Sequence, residues 1–311
     1  MVQMIKDYGK SLDWNIGSLF AHDAYVWKLV DVLNELGYVN PIKYVFGSIP
    51  CLFQGGRVAP RNAELKDAYS IFDEYNKRNI GCRLTFSSTL IRENDLTNTL
   101  CNSLMSYLND KGKEANNGVI VSSDLLAKYI RQNYPNLQVI SSQVKPSVEV
   151  GLGTEEENLD YYNSLFDLYD IVVVNPFKAI DGNFISGLKY TERVEFIANH
   201  RCVPNCPMAK LHYETQMKLG VAALDGADLT DFVNTLDEIN KKCLGVKASY
   251  PLAGTSMSQS TIENLVRKGF TQFKIEGRDN DGICFIRDLG DYIFETYLYQ
   301  RVANAIMQEA V

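Results

Sequence analysis

The chain has 311 residues, 46% of them hydrophobic and 22% charged, which is ordinary globular usage and a normal length for one (β/α)8 barrel. Its net charge of −7 argues against a broad phosphate-binding surface, while leaving room for a local basic groove that could receive RNA. No apolar run approaches the roughly 18 residues of a membrane span. The N-terminal stretch MVQMIKDYGKSLDWNIG carries charges where a signal peptide needs an apolar segment, and seven scattered cysteines suit reduced thiols better than a disulfide framework. These features predict a soluble cytoplasmic protein with no membrane attachment.

An amphipathic stretch near residues 21–36 comes first, and residues 1–42 read as an N-terminal helical extension packed on a barrel formed by 43–311. Short apolar runs then alternate with helical patterns. The runs are KYVFGS (43–48), CRLTFS (82–87), GVIVSS (118–123) and LQVISS (137–142), followed by DIVVVN (170–175), VEFIAN (194–199), GVKAS (245–249) and FKIEG (273–277). Most are rich in β-branched residues and too short for helices. Between them, SSDLLAKYIRQNYP opens on a serine cap and stops at Pro135, and SMSQSTIENLVRKG ends on Gly269. A last helix is expected over about 288–308. Eight strand–helix units predict an α/β fold, a single TIM-type (β/α)8 barrel, with an open doubly wound sheet as the alternative.

Several of these strands end in small polar residues, among them Ser48, Ser122–Ser123, Gln143, Asn175 and Asn199–His200. In a barrel the strand C-termini form the catalytic face, so Ser48, Gln143, Asn175 and Asn199 are candidate substrate contacts. After the first run, FGSIPCLFQGGRVAPRN offers a close backbone approach at Gly55–Gly56 and anion contacts from Arg57 and Arg61. In TQFKIEGRDND, Lys274 and Glu276 are two apart and point to one side, into the barrel, while Phe273 and Ile275 face the helices. Two charges there need partners or a ligand, so they are either a structural ion pair or a substrate-handling pair. Arg278 follows at the rim, where its guanidinium could hold a carboxylate or phosphate.

The string FKIEGR in a last strand resembles the signature of the collagenase-like peptidase family, peptidase family U thirty-two. NGVIVSSDLLAKYI and YPNLQVISSQ are similar to that family's third and fourth strand regions at the level of pattern. The resemblance implies a barrel enzyme. Its activity would be either peptidase or oxygen-independent hydroxylation of an RNA base or a quinone precursor, with a four-cysteine iron–sulfur cluster in some members. The family places paired cysteines after the sixth strand and more downstream. This chain departs from that pattern, with only Cys202 and Cys206 in the region and no later cysteine-rich segment.

NHRCVPNCPMAKLHYE (199–214) therefore holds half a metal site. Cys51, Cys284 or His212 are candidate further ligands, because the pattern places Cys51 and Cys284 on the same catalytic face. Cys82 and Cys243 are expected at the opposite face, and Cys101 in a helix. Three readings stay open for the cofactor: an iron–sulfur cluster, mononuclear zinc or iron, or no metal.

The leading reading is a family-like enzyme that uses Cys202 and Cys206, with or without an iron–sulfur cluster, for oxygen-independent hydroxylation or a related modification; in it Glu276 is general acid or base, Lys274 tunes it and Arg278 holds an anionic group. Its substrate would be a nucleobase or a small anionic or aromatic molecule. The alternatives are a peptidase or metal-dependent hydrolase, with Cys202 as nucleophile and His200 or His212 as base, and a non-catalytic barrel that binds a protein partner or a second copy of itself. No HExxH or GxSxG string supports hydrolysis.

Overall fold

The computed structural model describes residues 3–56, 65–149, 155–200, 202, 206–248, 256–277 and 282–309. Eight parallel strands close into a barrel in chain order. They are β1 (Asp13–Ile16), β2 (Ile42–Gly47), β3 (Gly81–Phe86), β4 (Gly118–Val121), β5 (Gln138–Ser141), β6 (Ile171–Val174), β7 (Val194–Ile197) and β8 (Gln272–Ile275). Closure is made by β1, which pairs Asn15 with Tyr44 of β2 on one side and with Lys274 of β8 on the other.

Helices alternate with the strands. The first half carries α1 (Asp23–Glu35), α2 (Leu65–Lys77), α3 (Thr99–Asn109), α4 (Asp124–Asn133) and α5 (Val144–Glu149). The second half carries α6 (Glu155–Leu165), α7 (Gly182–Gly187), α8 (Ala209–Leu224), α9 (Thr230–Ala248), α10 (Gln259–Arg267), α11 (Gly282–Tyr292) and α12 (Thr296–Glu309). Local chemistry sets several boundaries as expected. Ser123 caps α4 by accepting from the Leu126 amide at 3.3 Å, and Ser258 caps α10 by accepting from Thr261 at 3.1 Å. Gly269 ends α10 at a φ of 101°, which a side chain would disfavour. No helix of the described residues is long and apolar enough to cross a membrane.

Two cores follow from strand alternation. Outward residues such as Leu84, Val119, Val172, Phe196, Phe273 and Ile275 pack against the helices. Inward residues Phe46, Ile120, Ile140, Ile171, Val173 and Ile197 form a separate apolar layer inside the barrel.

Two sequence expectations are corrected. Residues 1–42 are no appendage, because they supply β1 and α1. DWNI escaped notice because it is four residues long and alternates polar with apolar, the inward position being Asn15. The expected strand at 245–249 is instead the end of α9, which runs through Ala248. Phe232, Leu236, Ile239 and Cys243 recur at helical spacing and carry the helix through that short β-branched window. One strand missed and one wrongly added kept the total at eight, but every strand from 43 to 199 moves up by one place.

Candidate active site at the barrel mouth

The lower lumen is polar and paired. Arg83 on β3 and Glu195 on β7, 0% and 1% exposed, form an ion pair at 2.8 Å. Asn15 donates to the same carboxylate at 3.0 and 3.3 Å, and the Lys274 ammonium lies 3.8 Å from it. The Arg83 guanidinium lies 3.4 Å from the centre of the Tyr44 ring, and Lys274 Nζ is 3.8 Å from that of Phe46. Burial of one carboxylate among these donors is tolerable because its oxygens are paired.

Glu276 is the next inward residue above Lys274, at the mouth. Its backbone is fixed by Asn199, whose amide oxygen accepts from Glu276 N at 2.7 Å and whose amide nitrogen donates to Glu276 O at 2.7 Å. The same nitrogen donates to Asp288 of α11 at 2.8 Å. The Glu276 carboxylate lies 3.4 Å from Nδ1 of buried His200, an ion-pair contact that falls short of an aligned hydrogen bond. Phe177 meets the His200 ring edge-on at 5.7 Å.

Beyond His200 lie the thiols. Cys202 hydrogen-bonds the imidazole and also the thiol of Cys206. Cys243, carried by α9, is a further electrostatic neighbour of Cys206. Burial alone would push the His200 pKa down, but Cys202 and Glu276 together raise it to about 9. Cys206 shifts upward, mainly through burial, with Cys202 and Cys243 adding to it.

A helix roofs this mouth. Along α8, Tyr213 reaches Gln143 at 3.5 Å, and Met217 accepts from Thr89 of the β3 loop at 3.4 Å. Tyr213 and Met217 also pack on Val144 of α5. Gly56, at a φ of 78°, lies against the α8 backbone, where a Cβ would run into the carbonyl of Gln216. The close approach expected at Gly55–Gly56 therefore serves the roof and the Ser87 hydroxyl.

No family model matches the chain, and no curated protein matches it. Among solved structures it is similar to the U32 peptidase Mk0906, at 15% identity over 89% of this chain and 96% of that one, with a TM-score of 0.52. The fold is U32-peptidase-like. A likeness to a GH113 β-1,4-mannanase, 8% identical over 88% of each chain, reaches a TM-score of only 0.34 and carries no argument.

Within this U32-like barrel the expected site residues separate into groups. Glu276, His200 and Cys202 come together, with Cys206 beside them, because β7 and β8 are neighbours. Lys274 has Glu195 as an ion partner. Asn199 holds backbone, and Asn175 caps the turn at Pro176–Ile180 by accepting from Phe177 at 3.1 Å. Ser48 donates to Ile49 O at 3.1 Å, and Gln143 donates to Ser147 at 3.1 Å. Arg57, Arg61 and Arg278 lie outside the described residues.

The further ligand candidates disperse. Cys51 is buried in the outer core with Cys101 of α3 as its neighbour. Cys284 stands in the first turns of α11 near Arg287, and His212 stacks on Tyr213 at 6.0 Å on the roof. Cys243, expected at the far face, is instead within electrostatic range of Cys206, a consequence of α9 replacing the expected strand. Asn15 and Glu195 are the lumen residues that sequence reading left out of the site. The alternation in VEFI, with one carboxylate among apolar residues, was the signal available for Glu195.

Proposed function

We propose that this chain is a barrel enzyme acting at its mouth by thiol chemistry on a small carbonyl-bearing substrate. One observation supports the reading: Cys202, His200 and Glu276 are contiguous, and Asn199 pins the backbone of Glu276. A thiol nucleophile needs an adjacent base, and the base needs a third group to orient it. Because its neighbours raise His200 to about 9, the imidazole already holds its proton, and Cys202 would react as the thiolate of a thiolate–imidazolium pair, its sulfur bonding to the substrate carbonyl carbon as the carbonyl π electrons move to oxygen. The leaving group would depart with that proton, and water would hydrolyse the thioester to restore the thiol. Glu276 would hold the ring and balance the imidazolium. The similar solved protein is itself described as a peptidase.

A second reading starts from the neighbouring thiols Cys202 and Cys206, with Cys243 within electrostatic range of Cys206. Here the barrel would modify a nucleobase or a small anionic or aromatic molecule without oxygen, using an iron–sulfur cluster, zinc or iron. Among the described residues no three His, Cys, Asp or Glu side chains converge as a metal shell, and Cys51 and Cys284 sit in other surroundings. The present geometry does not fit a four-thiolate cluster, so no step is routed through a metal.

The test is anaerobic purification with visible absorption and iron, sulfide and zinc analysis, followed by assays on peptide, amide and thioester panels. The expected result is hydrolysis that Cys202→Ser abolishes and Glu276→Gln lowers roughly 100-fold or more, with unchanged circular dichroism. Full turnover in Glu276→Gln would sink the assigned role. Colour that disappears in Cys202→Ser or Cys206→Ser would put the second reading first. A colourless, metal-free and inert protein would leave a partner-binding barrel.

A further inference from the structure

We propose that the upper lumen, between β3, β4 and β8, is a binding pocket for a small carboxylate. The pocket names a substrate class for the site above, and it rests on that reading only in treating the bound anion as substrate.

The first observation is a pair of buried hydroxyls. Thr85 and Ser122 are 5% and 1% exposed, and neither hydroxyl has a hydrogen-bond partner among the described residues. Thr85 shares the inward side of β3 with Arg83, and Ser122 lies two residues beyond inward Ile120 on β4. The register Thr85–Ile120 therefore sets the two hydroxyls on one wall, a pleat apart. Buried hydroxyls are nearly always satisfied, so two together on a lumen wall point to a shared partner.

The second observation is charge. Across the lumen stands buried Lys274, over the Phe46 ring. Below Glu276 the inner side chains include two cations, Arg83 and Lys274, against the single carboxylate of Glu195. Glu276 itself faces His200 at the mouth, and at the lower rim Asp13 is half-buried and is met by both Lys43 and Arg83. Among the described residues the lumen thus holds buried cationic side chains, Arg83 and Lys274, which an anionic occupant would suit. Phe46, Ile120 and Ile140 give that occupant an apolar floor. A flat carboxylate carries one negative charge and can take the Lys274 ammonium on one side and the hydroxyls on the other. Phosphate brings more charge and more oxygens than these donors can satisfy.

The experiment is isothermal titration calorimetry of the full chain with benzoate, pyruvate, succinate, chloride and inorganic phosphate at matched ionic strength. The expected result is saturable binding of at least one of the carboxylates, weakened roughly 3- to 10-fold by Thr85→Val and by Ser122→Ala. Lys274→Met should weaken it roughly 10-fold or more. Because Lys274→Met also disturbs Glu195, the near-isosteric Thr85→Val decides the matter. No saturable binding, binding unchanged in both hydroxyl variants, or a preference for phosphate would each overturn the proposal. The readout needs no turnover. A catalytically inert protein that binds benzoate through Thr85 keeps the pocket, whereas an active enzyme indifferent to Thr85→Val loses it.

Discussion

Glu195 is the residue around which the lumen is organised. Its carboxylate meets Arg83 at 2.8 Å, Asn15 at 3.0 Å and Lys274 at 3.8 Å. Removing one partner of a buried pair leaves the other charge without compensation, which costs far more than the pair contributes net. Glu195→Ala should therefore destabilise the barrel by about 3–5 kcal/mol, read as a lowered urea midpoint. A loss below about 1 kcal/mol would show that the lumen charges are solvated or compensated otherwise. The inward pointing of Lys274 and Glu276 was legible from their spacing of two. Their ion partners were not, since Glu195 and His200 come from β7 and the residues just after it, and only barrel closure brings them within reach.

At the scale of elements, α8 is the helix that packs over the loops at one side of the barrel mouth. It lies on Gln143, Thr89 and Val144, and its backbone meets Gly56. Gly56→Ala would impose a side chain on a left-handed backbone and drive it into a main-chain carbonyl that cannot swing aside. The expected outcome is a loss of about 1–3 kcal/mol, with faster proteolytic nicking near the turn between α8 and α9. Unchanged melting and unchanged proteolysis would mean that the helix does not depend on this contact. The glycine pair was visible in the sequence as permission for a close approach, but the identity of the approaching group was not. The end of α9 shows the opposite limit. Gly245–Val246 reads as strand in a five-residue window, and only the longer repeat of Leu236, Ile239 and Cys243 assigns it to a helix.

At the scale of the whole molecule, β1 bridges β2 and β8, so the barrel has no closure without the first 42 residues. A chain beginning at Lys43 would expose two unpaired parallel edges and the outer core that Trp14, Ile16, Leu29 and Leu33 fill. It should fail to give a cooperative melt, and a sharp transition from that fragment would restore residues 1–42 to the status of an extension. The same closure makes the site. With β7 and β8 adjacent, His200 stands beside Glu276, and Cys202 beside His200.

The sequence by itself determined the alternation of strands and helices, the serine caps of α4 and α10, and the inward face of β8. It also determined that polar residues would ring the strand ends. Each of these depends on neighbours within a few residues, where backbone geometry and side-chain spacing act directly. Only the tertiary structure decided that Cys243 comes within electrostatic range of Cys206, that Cys51 turns away to Cys101, that Asn199 holds a strand end, and that Lys274 lies over the Phe46 ring. Those pairings join distant segments, and they are set by the order and register in which the sheet closes.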